Sequence, residues 1–302
     1  MKQVCLSLVT IATVLFFFIP FYLPMDNFFY TPQVTQKNLF ATCSGSTNDV
    51  DYWALLIVTD SVGMDRYYMY DALCESPNWD QAHITFLLDE TATKSNILES
   101  IDWLKNHADD NDIIVFSFQG HGSHNGTFRK GTYGIVPHDG GIITREELDD
   151  KFDEIHAGGL CLIFDCCLSG NLVDTGIHPL RNKYIGSVKD FSYGLEGDNR
   201  VVLMSTLKYG LGFSDSHNQI YFSRFVAEAF SHSIDYNQDG FVSAEETFIY
   251  AQDKFYPYAY EMLLYPLMQI FTLSHQGFFI LAFPTLYDTY PNDLPLVQVD
   301  TT

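Results

Sequence analysis

Two short apolar runs in this chain each stop in a cluster of residues able to do chemistry. Leu160-Cys161-Leu162-Ile163-Phe164 runs into Asp165-Cys166-Cys167-Leu168-Ser169-Gly170. About forty residues earlier, Asp112-Ile113-Ile114-Val115-Phe116-Ser117-Phe118 runs into Gln119-Gly120-His121-Gly122. A thiol and an imidazole at one edge are the equipment of cysteine nucleophilic catalysis. The thiolate attacks, and the imidazole first lowers the thiol pKa and then protonates the leaving amine. Flanking glycines let the backbone turn sharply and bring N–H groups near a developing oxyanion.

A second constellation lies at Asp235-Tyr236-Asn237-Gln238-Asp239-Gly240-Phe241-Val242-Ser243-Ala244-Glu245-Glu246. Oxygen ligands fall at loop positions one, three and five, glycine at six, an apolar residue at eight and glutamate at twelve, which is the EF-hand pattern. Calcium takes six to eight oxygens. Asp235, Asn237 and Asp239 would supply side chains, Phe241 its carbonyl, Ser243 a hydroxyl or a held water, and Glu246 both carboxylate oxygens. EF-hand loops usually work in pairs, and no second one is present in the sequence.

The elements that must position these groups are legible from periodicity. Both short runs read as central strands covered on both faces, and open α/β sheets hold ligands at the carboxyl ends of such strands. Residues 53–59, 84–88 and 201–205 add further strands. Asp65 to Glu75, the Ile97/Ile101/Leu104 spacing, and Phe222 to Phe230 read as helices. Thr144-Arg145-Glu146-Glu147 has the capping-box pattern, with Leu148, Phe152 and Ile155 as the apolar face of the helix it starts. Alternating strand and helix imply a mostly parallel sheet with helices on both faces. Residues 133–141 read as a small hairpin, residues 171–200 as a long loop, and residues 262–286 as a buried helix ending in a strand near Phe278–Leu281.

The segments Ser-Phe-Gln-Gly-His121-Gly and Asp165-Cys166-Cys167-Leu168-Ser169-Gly170 resemble the signatures of the caspase-like cysteine peptidases of metacaspase and legumain type, above all the metacaspase pattern Asp-x-Cys-x-Ser-Gly. The resemblance spans about residues 52–250. It implies a caspase-like three-layer α/β/α sandwich around a six-stranded, mostly parallel sheet. It places Cys167 on the nucleophile, Cys166 on the variable position before it, and His121 on the catalytic histidine. The backbone N–H groups of Gly122 and Cys167 would hold the oxyanion. Leu168, where metacaspases often carry His, departs from the pattern without touching the catalytic pair. In that family an acid two residues before the nucleophile selects Arg or Lys before the scissile bond, which assigns Asp165 to substrate binding, with Asp215 as a second acid for the same pocket. The segment matching residues 171–200 is cut in some relatives during maturation.

A formal charge of -22 argues against a nucleic-acid partner and suits cations or basic peptides. Residues 3–25 carry no charge and are long enough to span a bilayer. They read as a signal anchor, with a cleaved signal peptide as the alternative. Lys2 inside would leave the catalytic domain outside the cytoplasm, or secreted after cleavage. The organisation expected is residues 1–25 as membrane segment, 26–50 as linker, 51–290 as peptidase domain and 291–302 as an irregular tail. Cys43 and Cys74 are open to pairing in an oxidising compartment. The functional expectation is a calcium-binding, membrane-anchored cysteine endopeptidase acting on peptides or proteins. The alternative is a calcium-binding module on an inactive scaffold of the same shape.

Overall fold

The computed structural model describes residues 50–59, 67–125, 132–173, 195, 197–207, 210, 212, 221–263 and 284–299. The chain alternates strand and helix as its periodicity requires. Strand β1 (Tyr52–Val58) leads to helix α1 (Tyr68–Glu75), β2 (Ile84–Leu88), α2 (Lys94–His107) and β3 (Ile113–Gln119). Three short strands follow, β4 (His121–Asn125), β5 (Thr132–Val136) and β6 (Ile143–Thr144), then α3 (Arg145–Asp153) and β7 (Gly159–Asp165). The remainder is β8 (Arg200–Met204), α4 (Tyr221–Ser231), β9 (Phe241–Ser243), α5 (Ala244–Leu263), β10 (Thr285–Asp288) and β11 (Pro295–Gln298).

The main sheet has six strands in the order β10-β8-β7-β3-β1-β2. All pair in parallel except β10, which runs antiparallel to β8. Alternation of side chains across the strands splits the core into two layers. Leu56, Val115, Ile163 and Leu203 face α1, α4 and α5, where they meet Leu73, Phe222, Val226 and Phe255. Leu55, Ile57, Ile114, Phe116 and Phe164 face α2 and α3, where they meet Ile97, Ile101, Leu148 and Phe152. This is the α/β/α sandwich expected. Strands β3 and β7 are covered on both faces, so each large side chain they bury removes apolar surface worth about 1.5–3 kcal/mol from water, which fixes their register. Their carboxyl ends, Gln119-Gly120 and Asp165-Cys166, are where the apolar runs stop and polar side chains emerge.

Local sequence accounts for the helix starts. At α3, Glu147 N–H donates to Thr144 Oγ1 at 3.1 Å and Thr144 N–H donates to Glu147 Oε2 at 2.9 Å, so the capping box is present. Arg200, 4% exposed, ties the first residue of β8 to α3 through Asp153 at 3.1 Å.

The carboxyl end of the chain departs from expectation. Residues 291–302 are expected as an irregular tail, but Pro295–Gln298 form β11, antiparallel to β9, with Leu294, Leu296 and Val297 buried. Pro291, Asn292 and Pro295 are strong turn signals, and they masked a four-residue strand that pairs with a distant part of the chain. The hairpin expected at 133–141 is the start of a three-stranded sheet, β4-β5-β6. The strand expected at Phe278–Leu281, together with Asp215, Cys43 and the apolar run at 3–25, lies outside the described residues. Among the described residues no helix is long and apolar enough to cross a membrane.

Candidate active site

Strand register brings the two chemical clusters together. Gln119 stands opposite Asp165 in the β3–β7 pairing, and Gly120 N–H donates to Asp165 O at 3.2 Å just past it. Two residues further, at Gly122, the two segments are in contact. A Cβ built on Gly122 would lie 1.8 Å from Cys167 O and 3.1 Å from Cys166 Sγ, so any side chain there would collide with the peptide of the proposed nucleophile. Glycine at 122 is therefore what allows the histidine-bearing strand to lie against the cysteine-bearing loop. His121, exposed on the first residue of β4, is held beside that contact.

Cys167 is half-buried, and Gly212 N–H donates to its Sγ at 3.3 Å. Burial pushes its thiol up and nearby Asp165 adds to this, while the Gly212 N–H works the other way. A rise means the thiol form is favoured, so attack requires transfer of its proton to a base. Cys166, 3% exposed, has its thiol pushed well up by burial and by its neighbour Cys167. Of the adjacent pair, only Cys167 combines exposure with a hydrogen-bond donor aimed at the sulfur.

The turn after Cys167 is built by partners that sequence reading did not identify. Leu168 has φ +63°, a left-handed conformation that costs a non-glycine residue about 1–2 kcal/mol. Leu168 N–H donates to Gly210 O at 2.7 Å, and Asn171 N–H donates to Leu168 O at 2.9 Å. Behind it, Thr206 N–H donates to Ser169 Oγ at 3.1 Å, and Thr285 Oγ1 donates to Thr206 O at 3.3 Å. Ser169 in the Asp-x-Cys-x-Ser-Gly motif was the available signal. It is fully buried, so its hydroxyl braces the loop.

Asp165 sits beneath the site rather than open to it, with 1% exposure. Its Oδ2 accepts from Ser223 N–H in the first turn of α4 at 2.6 Å. A carboxylate at a helix N-terminus is stabilised by the N–H groups that lack intrahelical partners. Burial nevertheless prevails and raises its pKa to about 6, with the bonds from Ser223, Ser205 and Phe222 pulling the other way. Beside Ser223 lies a small cavity that Asp165 itself does not line, bounded by Val58, Ser117 and Gln119 from the sheet, Tyr68 from α1, and Ser223 and Arg224 from α4.

The loop at 235–246 joins α4 to α5. Gly240 takes φ +93°, which only glycine adopts without strain. Asp235 Oδ2 accepts from Gly240 N–H at 3.0 Å, and Asp239 Oδ1 accepts from Phe241 N–H at 2.9 Å. Glu246, 4% exposed, has two duties. Its Oε1 accepts from Tyr236 and Asn237 N–H at 2.7 and 3.0 Å, and its Oε2 accepts from Ser243 N–H at 3.0 Å. Ser243 Oγ in turn accepts from Glu246 N–H at 3.1 Å, so Ser243 and Glu246 form the capping box of α5. The donor set is all oxygen and matches calcium in kind and order. Its carboxylates are folded onto the loop amides, and among the described residues no three His, Cys, Asp or Glu side chains converge as a metal cage.

A mostly parallel six-stranded sheet carrying a Gly-flanked histidine and a cysteine at the ends of adjacent central strands is a caspase-like arrangement. Comparison with known proteins places the likeness among the metacaspases. Residues 34–176 match the family model described as "Metacaspase, peptidase C14 domain". A stretch of 118 residues is 32% identical to Metacaspase-4 of Arabidopsis thaliana, covering 35% of this chain and 28% of that protein. The alignment thus spans less than a third of that relative's length. Among solved structures, a structural-genomics target protein from Geobacter sulfurreducens superposes with a TM-score of 0.52 at 12% identity, over 83% of this chain and all of that one. That likeness concerns the fold. The family match contains His121, Asp165 and Cys167 and stops short of the 235–246 loop.

Proposed function

We propose that the chain is a cysteine endopeptidase with a Cys167–His121 dyad. The observation that carries this reading is the contact of Gly122 with the Cys167 peptide, which sets the histidine-bearing strand against the nucleophile loop. His121 takes the Cys167 proton, and the sulfur attacks the scissile carbonyl carbon. The N–H groups of Gly122 and Cys167 stabilise the oxyanion. The imidazolium then protonates the departing amine, leaving a thioester. Water, deprotonated by His121, hydrolyses the thioester and restores the thiol. The test is release of fluorophore from Arg- and Lys-terminated peptides, with and without calcium. A protein whose Cys167 can be alkylated but which cleaves no peptide under either condition is an inactive scaffold instead.

The preference for Arg or Lys rests on Asp165. A carboxylate held in a buried site has lost hydration that a substrate cation restores, and among the described residues no Lys or Arg side chain pairs with it. Asp215 is proposed as the second acid.

Calcium is proposed as the ligand of Asp235, Asn237, Asp239, Ser243 and Glu246 with the Phe241 carbonyl. When bound it would contribute order to the α4–α5 connection, and no catalytic step requires it. Glu246→Gln is expected to weaken binding at least tenfold by calorimetry, since a ligand charge is lost. The anchor is proposed from residues 3–25. Alkaline carbonate extraction should leave the full-length chain in the membrane pellet. A mature N-terminus mapped beyond residue 25 replaces the anchor with a cleaved signal.

A further inference from the structure

An EF-hand loop ordinarily completes its short strand by pairing with the strand of a second loop. Here that strand is β9, and its partner is β11, from the far end of the chain. Gln298 stands opposite Phe241, Val297 opposite Val242 and Pro295 opposite Ser243. The pairing is extended at both ends, where Val299 N–H donates to Gly240 O and Ala244 N–H donates to Leu294 O, each at 2.9 Å. The segment reaches the loop with a side chain as well. Asn237 Nδ2 donates to Asp293 Oδ2 at 3.1 Å and to Asp239 Oδ2 at 3.0 Å, while its Oδ1 accepts from Asp239 N–H at 2.9 Å. Asp293 therefore holds the amino end of the Asn237 amide and leaves its oxygen turned into the loop, which is the end a cation needs.

From this we infer that the carboxyl-terminal segment stands in for the second EF-hand, and that Asp293 is a positioning residue for the calcium ligand Asn237. Outer partners of this kind fix the orientation of a ligating group, and their loss typically costs ten- to a hundredfold in metal affinity. The inference rests on the calcium reading of residues 235–246. By linkage, a metal that binds better when the segment is docked must hold the segment down by the same factor.

The segment is also fastened away from the loop, which gives the linkage a readout. Leu294 and Leu296 are fully buried. Leu296 O accepts from Trp79 Nε1 at 2.9 Å and from Asn78 Nδ2 at 3.1 Å, and Gln298 N–H donates to Asn78 Oδ1 at 2.9 Å. Trp79 is thus an intrinsic probe of whether the segment is seated.

The experiment uses the full-length chain with calcium chloride alone. Calorimetry gives the affinity, and amide hydrogen exchange over residues 294–299 with Trp79 emission reports docking. Saturating calcium is expected to slow exchange of these amides by about tenfold. Asp293→Asn should weaken calcium binding by about tenfold, in line with the loss of an outer partner. Asp293 is exposed, so this change leaves the fold intact. Glu246→Gln should abolish the protection at low-millimolar calcium. If the wild-type chain binds calcium but neither exchange nor the Asp293→Asn affinity changes, the segment is not the loop's partner and only this inference falls. If calorimetry finds no calcium binding, the reading of the loop falls and takes the inference with it.

Discussion

Cys167→Ala is expected to abolish peptide cleavage and all labelling by an electrophilic peptide, while Cys166→Ser keeps most of the wild-type activity. The two sulfurs differ in surroundings despite being adjacent. Cys167 is half-buried and receives the Gly212 N–H, whereas Cys166 is 3% exposed and packs under Gly122. Loss of the nucleophile should lower turnover by several orders of magnitude, as it does wherever a covalent step is removed. Replacing the Cys166 thiol with a hydroxyl buries a polar group near apolar neighbours and should cost about 1–3 kcal/mol of stability. A mild loss of activity with lowered thermal stability is therefore the signature of the structural cysteine. Labelling that followed Cys166 would shift the motif by one residue and overturn the assignment.

Asp165→Asn is expected to remove the preference for basic peptides while leaving the protein as stable or more so. The sign follows from the carboxyl being raised to about 6 by burial. The folded state holds the proton more tightly than the unfolded state, so the stability this gives is complete below the ordinary carboxylate range. It is lost as pH rises through about 6. At pH 8 the ionised, buried carboxylate is a cost on the order of 2–3 kcal/mol, which Asn avoids while its side-chain oxygen still accepts from Ser223 N–H. Catalysis has the opposite requirement, because a substrate cation needs the ionised form. For Arg peptides, kcat/KM should fall as pH drops below about 6. In the Asn variant it should be at least a hundredfold lower at pH 8 and lack that dependence. A variant that kept its Arg preference would reduce Asp165 to a brace for α4. A library profile favouring Asp or Asn before the cut would displace the basic reading altogether.

How much of this was visible in the residues divides along a physical line. Strands β3 and β7 were legible because both faces are buried, which writes an unbroken apolar run into the sequence. Helix α3 was legible because Thr144 and Glu147 must satisfy each other's backbone. The meeting of the two motif-bearing strand ends was legible because glycine and histidine are packed into four residues where an apolar run stops. What escaped was non-local or context-bound. The Gly212 N–H on Cys167 joins residues separated by a long stretch of chain. Strand β11 is four residues long between turn formers, and its partner lies more than fifty residues away. The resemblance assigns Asp165 to the substrate pocket by its place in the motif, which says nothing of the helix that covers it here.

The pairing of β7 with β8 has a further consequence. Leu160 to Phe164 lie in register beside Arg200 to Met204, so the two chain segments flanking residues 166–199 are joined by a full ladder of backbone hydrogen bonds. They are also joined by Arg200 on Asp153. Covalent continuity between them adds little to what non-covalent pairing already secures. A molecule nicked in residues 174–194 should therefore behave as a complementing pair of fragments: one species in gel filtration, two bands once denatured, with the histidine and the cysteine both on the amino-terminal piece.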